Sequence, residues 1–482
     1  MIMCEIIGRK KEIAELKRYY ESGRAEFVAV YGRRRVGKTF LIDEVFHDDI
    51  VFHHTGLSPY DRRRKVTLKD QLQNFYFSLL RHGMEDIAQP KSWMEAFFLL
   101  ERFLETCDNG SRQVVFIDEL PWMDTHASGL IPALEHFWNS WASARKDICL
   151  IICGSATSWI INKIVKNKGG LHNRVDYKVP LRPFNLLECE QYMKSRNITM
   201  SRKQIIEGYM VMGGVPFYWK AMQKGLSLAQ NIDQNFFNPE GELCNEFEAL
   251  YASLFKRPEG YIKVVKLLSG RRSGMNRNEL LKSGKFVDNG SFSQLLKDLE
   301  NCGFIRSYNI IGNRKKDCIY QLIDPFTIFY YDFMCNNAHK DPNFWTHSIN
   351  KPFYHTWCGL SFERVCMLHT QQIKFALGIS GIISGVYSWR STSCKPGAQI
   401  DMVIDRDDDV INLCEMKYTS APWDMQASDV TDILRKEDVF LRETETTKAI
   451  HKVLVSANGV TQNEYSQEIQ RIVTLDDLFR EC

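Results

Sequence analysis

The sequence predicts an α/β protein, with a parallel-sheet layer at its N-terminal end, helical blocks in the middle and a second α/β part at its C-terminal end. Three observations carry this. Apolar, β-prone runs at residues 27–31, 50–54, 113–117 and 148–153 alternate with helix-like stretches such as 93–106 and 130–141, the pattern of strands joined by crossovers. From about 187 to 254 the strand-like runs give way to helix-like segments, interrupted at Gly213-Gly214-Val215-Pro216. Beyond about residue 343 a helical stretch precedes two strand-like runs, 400–404 and 410–418, joined by the polar turn Asp405-Arg406-Asp407-Asp408-Asp409.

The chain has 482 residues, enough for two to four domains that each bury a core. An apolar fraction of 44% and a charged fraction of 25% are ordinary for a globular protein. The net charge of +3 does not by itself point to nucleic acid, although basic clusters occur at Arg62–Lys65, Arg271-Arg272 and Arg314–Lys316. Fourteen cysteines are scattered without a CxxC pair, and several, among them Cys149, Cys153 and Cys414, lie in apolar strand-like runs. That usage suits buried thiols in a reducing compartment rather than a disulfide framework or a zinc site. With no signal-peptide pattern and no run of 18 apolar residues, the expected location is cytoplasmic, with no membrane partner.

The most informative stretch is Gly32-Arg33-Arg34-Arg35-Val36-Gly37-Lys38-Thr39, which matches GxxxxGK[ST] without a mismatch. It follows the run 27–31 and precedes the helix-like 40–46. Strand, glycine loop and helix form the arrangement in which backbone N–H groups wrap a phosphate chain at a helix N-terminus. Lys38 would reach the β and γ phosphates, and the Thr39 hydroxyl would serve Mg²⁺. The backbones of Arg33, Arg34 and Arg35 would cradle phosphate while their side chains face solvent or a partner. A nucleoside triphosphate, ATP, with Mg²⁺ is the expected ligand pair.

Such a loop needs an acidic partner at the end of a neighbouring buried strand. The run 114–117 ends in Asp118-Glu119, so Asp118 would hold the Mg²⁺ shell and Glu119 would orient the attacking water. The next run ends in Gly154-Ser155-Ala156. Ser155 could sense the γ phosphate or cap the helix that follows.

Glycine loop, Asp-Glu strand end and polar strand end, in this order, resemble the P-loop AAA+ superfamily. Ile7-Gly8-Arg9-Lys10-Lys11-Glu12 resembles the box that precedes the glycine loop in its initiator-type and STAND-type members, where it helps cover the adenine; this implies nucleotide contacts for Gly8 and Arg9. More narrowly, Asp118-Glu119-Leu120-Pro121-Trp122 and Met212-Gly213-Gly214-Val215-Pro216 resemble the archaeal-type ATPase family, which also occurs in bacteria and continues into a winged helix and a nuclease-like domain. The resemblance implies an arginine after the sensor strand. Arg174, in Leu171-His172-Asn173-Arg174, matches it as a γ-phosphate-directed arginine acting on its own or a neighbouring subunit's nucleotide, with a surface ion pair as the alternative.

Residues 262–268, 278–282 and 291–301 read as three helices, and 303–308 and 318–322 as a hairpin around the basic turn Arg314-Lys315-Lys316. That makes a winged helix, with 291–301 as its recognition helix and Lys297 as the clearest basic residue on it. It could contact DNA or serve as a protein spacer. In the C-terminal part, Glu415 and Lys417 share one strand face, and Asp401 on the adjacent strand can meet them. Two carboxylates and a lysine on one face suit a hard cation with a water-positioning group beside it. This resembles the PD-(D/E)xK nuclease superfamily, whose restriction-endonuclease-like fold is α/β. The resemblance implies metal ligands Asp401 and Glu415, a catalytic Lys417, and a further acidic residue on the preceding helix, matched by Glu363. Ile400 stands where many members have Pro.

The expected organisation is a P-loop ATPase domain at 1–195, a helical lid at 196–258, a winged helix at 259–325, a connector at 326–342 and the nuclease-like domain at 343–482. The expected function is ATP hydrolysis regulating a Mg²⁺-dependent DNA nuclease. The alternative is a regulatory or signalling ATPase whose C-terminal parts only bind nucleic acid or protein. A homo-oligomer is compatible with either.

Overall fold

A computed structural model describes residues 6–58, 65–85, 88–255, 257–309, 318–337, 341–391 and 397–482. The basic turn Arg314-Lys315-Lys316 and Arg62–Arg64 fall outside the described residues. The chain divides into two compact units, one formed by Met1–Pro183 with Glu248–Pro258, the other by Phe184–Phe247 with Glu259–Cys482.

The first unit is built on five parallel strands: β1 (Glu26–Tyr31), β2 (Ile50–Thr55), β3 (Gln113–Asp118), β4 (Ile148–Gly154) and β5 (Tyr177–Pro180), in the order β2-β3-β4-β1-β5. Helices cover both faces, which is why β1, β3 and β4 are buried at nearly every position. Side chains alternate between the faces. Phe27, Ala29, Val115, Ile117, Leu150 and Ile152 pack under the helices Trp93–Thr106 and Leu130–Ser140. Val28, Val30, Val114, Phe116, Ile151 and Cys153 pack under Lys10–Tyr20 and Lys38–Phe46. Fully burying an apolar side chain of this size is worth about 1.5–3 kcal/mol, so the two layers hold the strand ends rigidly.

The second unit begins with helices. Arg202–Met212 ends at Gly213, whose φ is 62°, and Pro216 opens the next helix, Pro216–Lys220. Gly214 lies so close to Phe184 that a Cβ would run into the Phe184 carbonyl oxygen, while Phe184 N–H donates to the Gly214 carbonyl at 2.7 Å. The Trp219 indole donates to the Gly213 carbonyl at 2.7 Å. The Gly-Gly-Val-Pro run is therefore a tight helix-to-helix joint, and only glycine fits its second position.

Three helices (Glu259–Ser269, Arg277–Gly284 and Gly290–Asn301) follow with a three-stranded antiparallel sheet of β6 (Met275–Asn276), β7 (Ile305–Tyr308) and β8 (Ile319–Leu322), in the order β6-β8-β7. Phe329, Phe333, Trp345, Tyr354 and Trp357 form an aromatic cluster ahead of the final sheet.

That sheet has five strands: β9 (Ser384–Arg390), β10 (Gln399–Arg406), β11 (Val410–Lys417), β12 (Ala449–Ser456) and β13 (Arg471–Thr474). Their order is β13-β12-β11-β10-β9. β9, β10 and β11 run antiparallel, whereas β11, β12 and β13 run parallel. The helix Ala427–Thr444 is the crossover from β11 to β12. Among the described residues no helix is long and apolar enough to cross a membrane, and the described cysteines are free thiols.

Candidate functional site

The glycine loop leaves the carboxyl end of β1 and enters the helix Lys38–Phe46, with Gly37 as N-cap in the left-handed region at φ 89°. Gly32 passes the Leu181 carbonyl so closely that a Cβ would collide with it. This close approach brings the loop back over Lys38, which is buried and donates to the carbonyls of Gly32 and Arg33 at 3.1 and 3.0 Å. An ammonium whose hydrogen bonds go to two neutral carbonyls can exchange them for phosphate oxygens, which make stronger charge-assisted bonds.

β3 and β4 bring the remaining groups to the same edge of the sheet. Thr39 Oγ1 donates to Asp118 Oδ2 at 2.7 Å, and Asp118 Oδ1 accepts the Glu119 N–H at 2.9 Å. Thr39 and Asp118 thus present two oxygen donors side by side, a chemistry that fits Mg²⁺. Glu119 sits just past β3 with φ 47°, a left-handed conformation that turns its side chain across to β4. There Glu119 Oε2 accepts both the N–H and the hydroxyl of Ser155 at 3.0 Å. Burial raises the Glu119 carboxyl above its ordinary range, with the Lys38 ammonium pulling the other way. Ser155 is fully buried and bonds Glu119, while the helix beginning at Thr157 has Ala156 as its N-cap. Its hydroxyl orients the carboxylate rather than capping a helix.

Gly8 and Arg9 both have positive φ, and Arg9 Nη2 donates to the Arg182 carbonyl at 2.6 Å, tying the box to the segment after β5. Val36 is buried. Arg33 is buried too, so its side chain turns inward instead of facing solvent. Arg34 reaches the Ala249 carbonyl at 3.5 Å, and Arg35 takes φ 69°. Arg174 is exposed and makes no ion pair among the described residues. It precedes β5, where Tyr177 pairs with Val28 in β1. Four strand positions, roughly 13 Å, separate Val28 from Gly32, so Arg174 stands toward the opposite edge of the sheet from the phosphate loop of its own chain.

In the second unit, Asp401 on β10 and Glu415 on β11 fall opposite each other, next to the Met402–Cys414 pair. Asp401 Oδ2 accepts the Met416 N–H at 3.0 Å. Burial, then the charges of Glu415 and Glu363, push the Asp401 carboxyl up to about 8. Glu363, on the helix Pro352–Leu368, is also raised by burial, with Arg364 opposing. Lys417 Nζ bonds Glu415 Oε1 at 3.2 Å and lies 5.1 Å from the Trp423 ring centre. The sequence pattern missed Lys436, which contacts both Glu415 oxygens at 3.0 Å and Asp432 at 3.1 Å. Asp432 and Lys436 have the i,i+4 spacing of one helix face, but only the β11–β12 crossover carries that face over Glu415. Among the described residues no three acidic, His or Cys side chains converge tightly enough to chelate a metal. The oxygen chemistry of Asp401 and Glu415 fits a hard cation held between those two.

Residues 6–221 match the family described as an ATPase domain predominantly from Archaea. This segment is an ATPase domain. An uncharacterized protein of Methanocaldococcus jannaschii is 21% identical over 436 residues, covering 89% of this chain and 90% of that protein. Solved structures of related arrangement include a Walker-type ATPase of Pyrococcus abyssi, with 16% identity, 68% of this chain and 96% of that chain covered, and a TM-score of 0.48. Another is the ORC2 protein of Aeropyrum pernix, with 14% identity, 69% and 94% coverage, and a TM-score of 0.44. Both the glycine loop and the Asp118-Glu119 strand end of the ATPase domain lie inside the matched segment.

Proposed function

We propose that this ATPase is of the AAA+ type and that its nucleotide state regulates a DNA-directed, nuclease-like site around Asp401, Glu415 and Lys417. The observation that carries the first half is the linked set Thr39–Asp118–Glu119–Ser155 beside the buried Lys38. Lys38 and the loop amides bind the β and γ phosphates, exchanging the two carbonyl contacts of Lys38 for phosphate oxygens. A Mg²⁺ ion held by Thr39 and Asp118 would neutralise charge on those phosphates. Glu119, aimed by Ser155, orients the attacking water and accepts its proton. Arg174, given its distance from its own loop, would serve the nucleotide of an adjacent copy in a homo-oligomer.

The second half is supported by Glu363 on the helix Pro352–Leu368, Asp401 on β10, and Glu415 and Lys417 together on β11. The domains from 259 to 325 and from 343 onward take the winged-helix and nuclease-like roles in this reading. On the helix Gly290–Asn301, Asp298 is engaged by Tyr261 and Gln294 and Glu300 by Ser307, which leaves Lys297 as an exposed charge able to meet a phosphate backbone.

One observation favours the alternative, a regulatory ATPase whose C-terminal part binds without cutting: Lys436 occupies both Glu415 oxygens. A cleavage assay separates the two. Purified protein with Mg²⁺ or Mn²⁺ is expected to nick DNA, with a rate that responds to ATP. Asp401→Ala and Lys417→Ala are expected to remove cleavage while ATP hydrolysis stays intact. If no DNA or RNA is cut with or without ATP, the binding-only reading stands.

A further inference from the structure

Two arginines near the carboxylate cluster make no ion pair among the described residues. Arg364 follows Glu363 on the helix Pro352–Leu368, and the residue is 9% exposed. Nη1 donates only to the Leu360 carbonyl of its own helix at 2.8 Å, and the buried Nε has no hydrogen-bond partner among the described residues. Arg306 comes from β7 and reaches the same helix. Its Nη1 lies 3.0 Å from Met367 Sδ, its Nη2 donates to Ser388 Oγ at 2.6 Å, and its Nε donates to Gln321 Oε1 at 2.8 Å. Ser388 in turn donates to the Asp401 carbonyl at 2.8 Å, so Arg306 is tied to the strand that carries Asp401. Gln321 also donates to the Arg272 carbonyl at 2.8 Å, which sets the exposed Arg272 beside the pair.

The charges that face this cluster are mixed but do not cancel. Asp332 and Glu363 are the carboxylates that act on Arg364; Arg272 and Arg306 are the like charges. Among the described residues neither Asp332 nor Glu363 comes within ion-pair distance of any of the three arginines. Burial disfavours both guanidinium charges. A guanidinium held out of water without a carboxylate is costly unless an anion joins it. Arginine is also the side chain whose planar fork matches phosphate oxygens.

We propose that Arg364, Arg306 and Arg272 form a phosphate-binding site that seats a backbone phosphate of DNA beside Glu363, Asp401 and Glu415. The inference rests on the nucleic-acid reading above and extends it. The arginines hold a phosphodiester flanking the one at the carboxylates, and Arg306 joins the three-stranded sheet and the C-terminal sheet into one strand-binding surface.

The test is fluorescence anisotropy with a labelled DNA duplex and the full-length protein in EDTA, over a range of salt concentrations, for wild type, Arg272→Ala, Arg306→Gln and Arg364→Met. Each variant is expected to weaken binding about tenfold, the scale of one charge-assisted hydrogen bond. Each should also lower the slope of log K against log salt, by at most about 0.9, the change expected when the one phosphate they share is no longer neutralised. Arg272 is exposed, so its variant reports even if the buried substitutions unfold the domain, which circular dichroism would reveal. Unchanged affinity and slope in Arg272→Ala and in a folded Arg306→Gln would overturn the site. So would tight binding of inorganic phosphate that the variants lack while DNA binding stays at the wild-type level. Arginine-dependent binding by a protein that cuts no DNA with Mn²⁺ would remove the nuclease reading and leave this site in place.

Discussion

Lys38→Ala is expected to abolish nucleotide binding at working concentrations. Lys38 is buried, among the described residues its ammonium hydrogen-bonds only the carbonyls of Gly32 and Arg33, and the loop that surrounds it lies at the helix N-terminus. Removing one partner of a buried, hydrogen-bonded charge pair costs roughly 2–5 kcal/mol, a weakening of about 30-fold to several thousand-fold. Titration with a fluorescent ATP analogue measures this directly. Affinity within twofold of wild type would mean that phosphate is not read by this loop. Glu119→Gln is the informative companion, because it preserves the shape and the Ser155 contacts while removing the base. It should bind ATP normally and hydrolyse it about 10²–10⁴ times more slowly, the range for a missing general base.

The second large effect is a pH-dependent stability centred on Asp401. Its carboxyl is held up to about 8, first by burial and then by the Glu415 and Glu363 charges, against about 3.9 in an unfolded chain. Below about pH 4 both states carry the proton. Between about 4 and 8 the folded protein keeps a proton that the unfolded chain has released, so stability falls as pH rises, by up to roughly 1.4 kcal/mol per pH unit. Above 8 the contribution is gone. In the absence of divalent cations, the melting temperature should therefore drop between pH 5 and 8, and Asp401→Asn should flatten that drop. Glu363 is shifted in the same direction and will leave a residual slope. Adding Mn²⁺ at pH 8 should restore wild-type stability and leave the variant unmoved. An Asp401→Asn curve parallel to wild type would show that Asp401 does not carry this proton.

Local order made much of the first unit legible. The runs at 27–31, 113–117 and 148–153 read as buried strands because a parallel sheet covered on both faces demands continuous apolar segments, and β1, β3 and β4 span them with one-residue extensions. Within the C-terminal sheet, β10 and β11 were readable from their alternation and the polar turn between them. β9 was not. Its positions are nearly all half-buried, so neither a strict alternation nor a continuous apolar run marks it. The two-residue β6 is too short to carry any period.

The sequence by itself determined the groups that must sit close to one another along the chain. The glycine loop, its lysine and threonine, and the Asp118-Glu119 pair follow from residues at fixed short spacings, because backbone geometry leaves such motifs few conformations. Only the tertiary structure decided contacts between distant segments. It turned Ser155 onto Glu119, set Arg174 ahead of β5 rather than beside the phosphate loop, swung Lys436 over Glu415 through the β11–β12 crossover, and brought Arg306 from one sheet onto Met367 of the helix that carries Arg364. The physical reason is that strand order and crossover placement are set by how whole layers bury their apolar faces, and no local pattern records which distant side chains that burial will bring together.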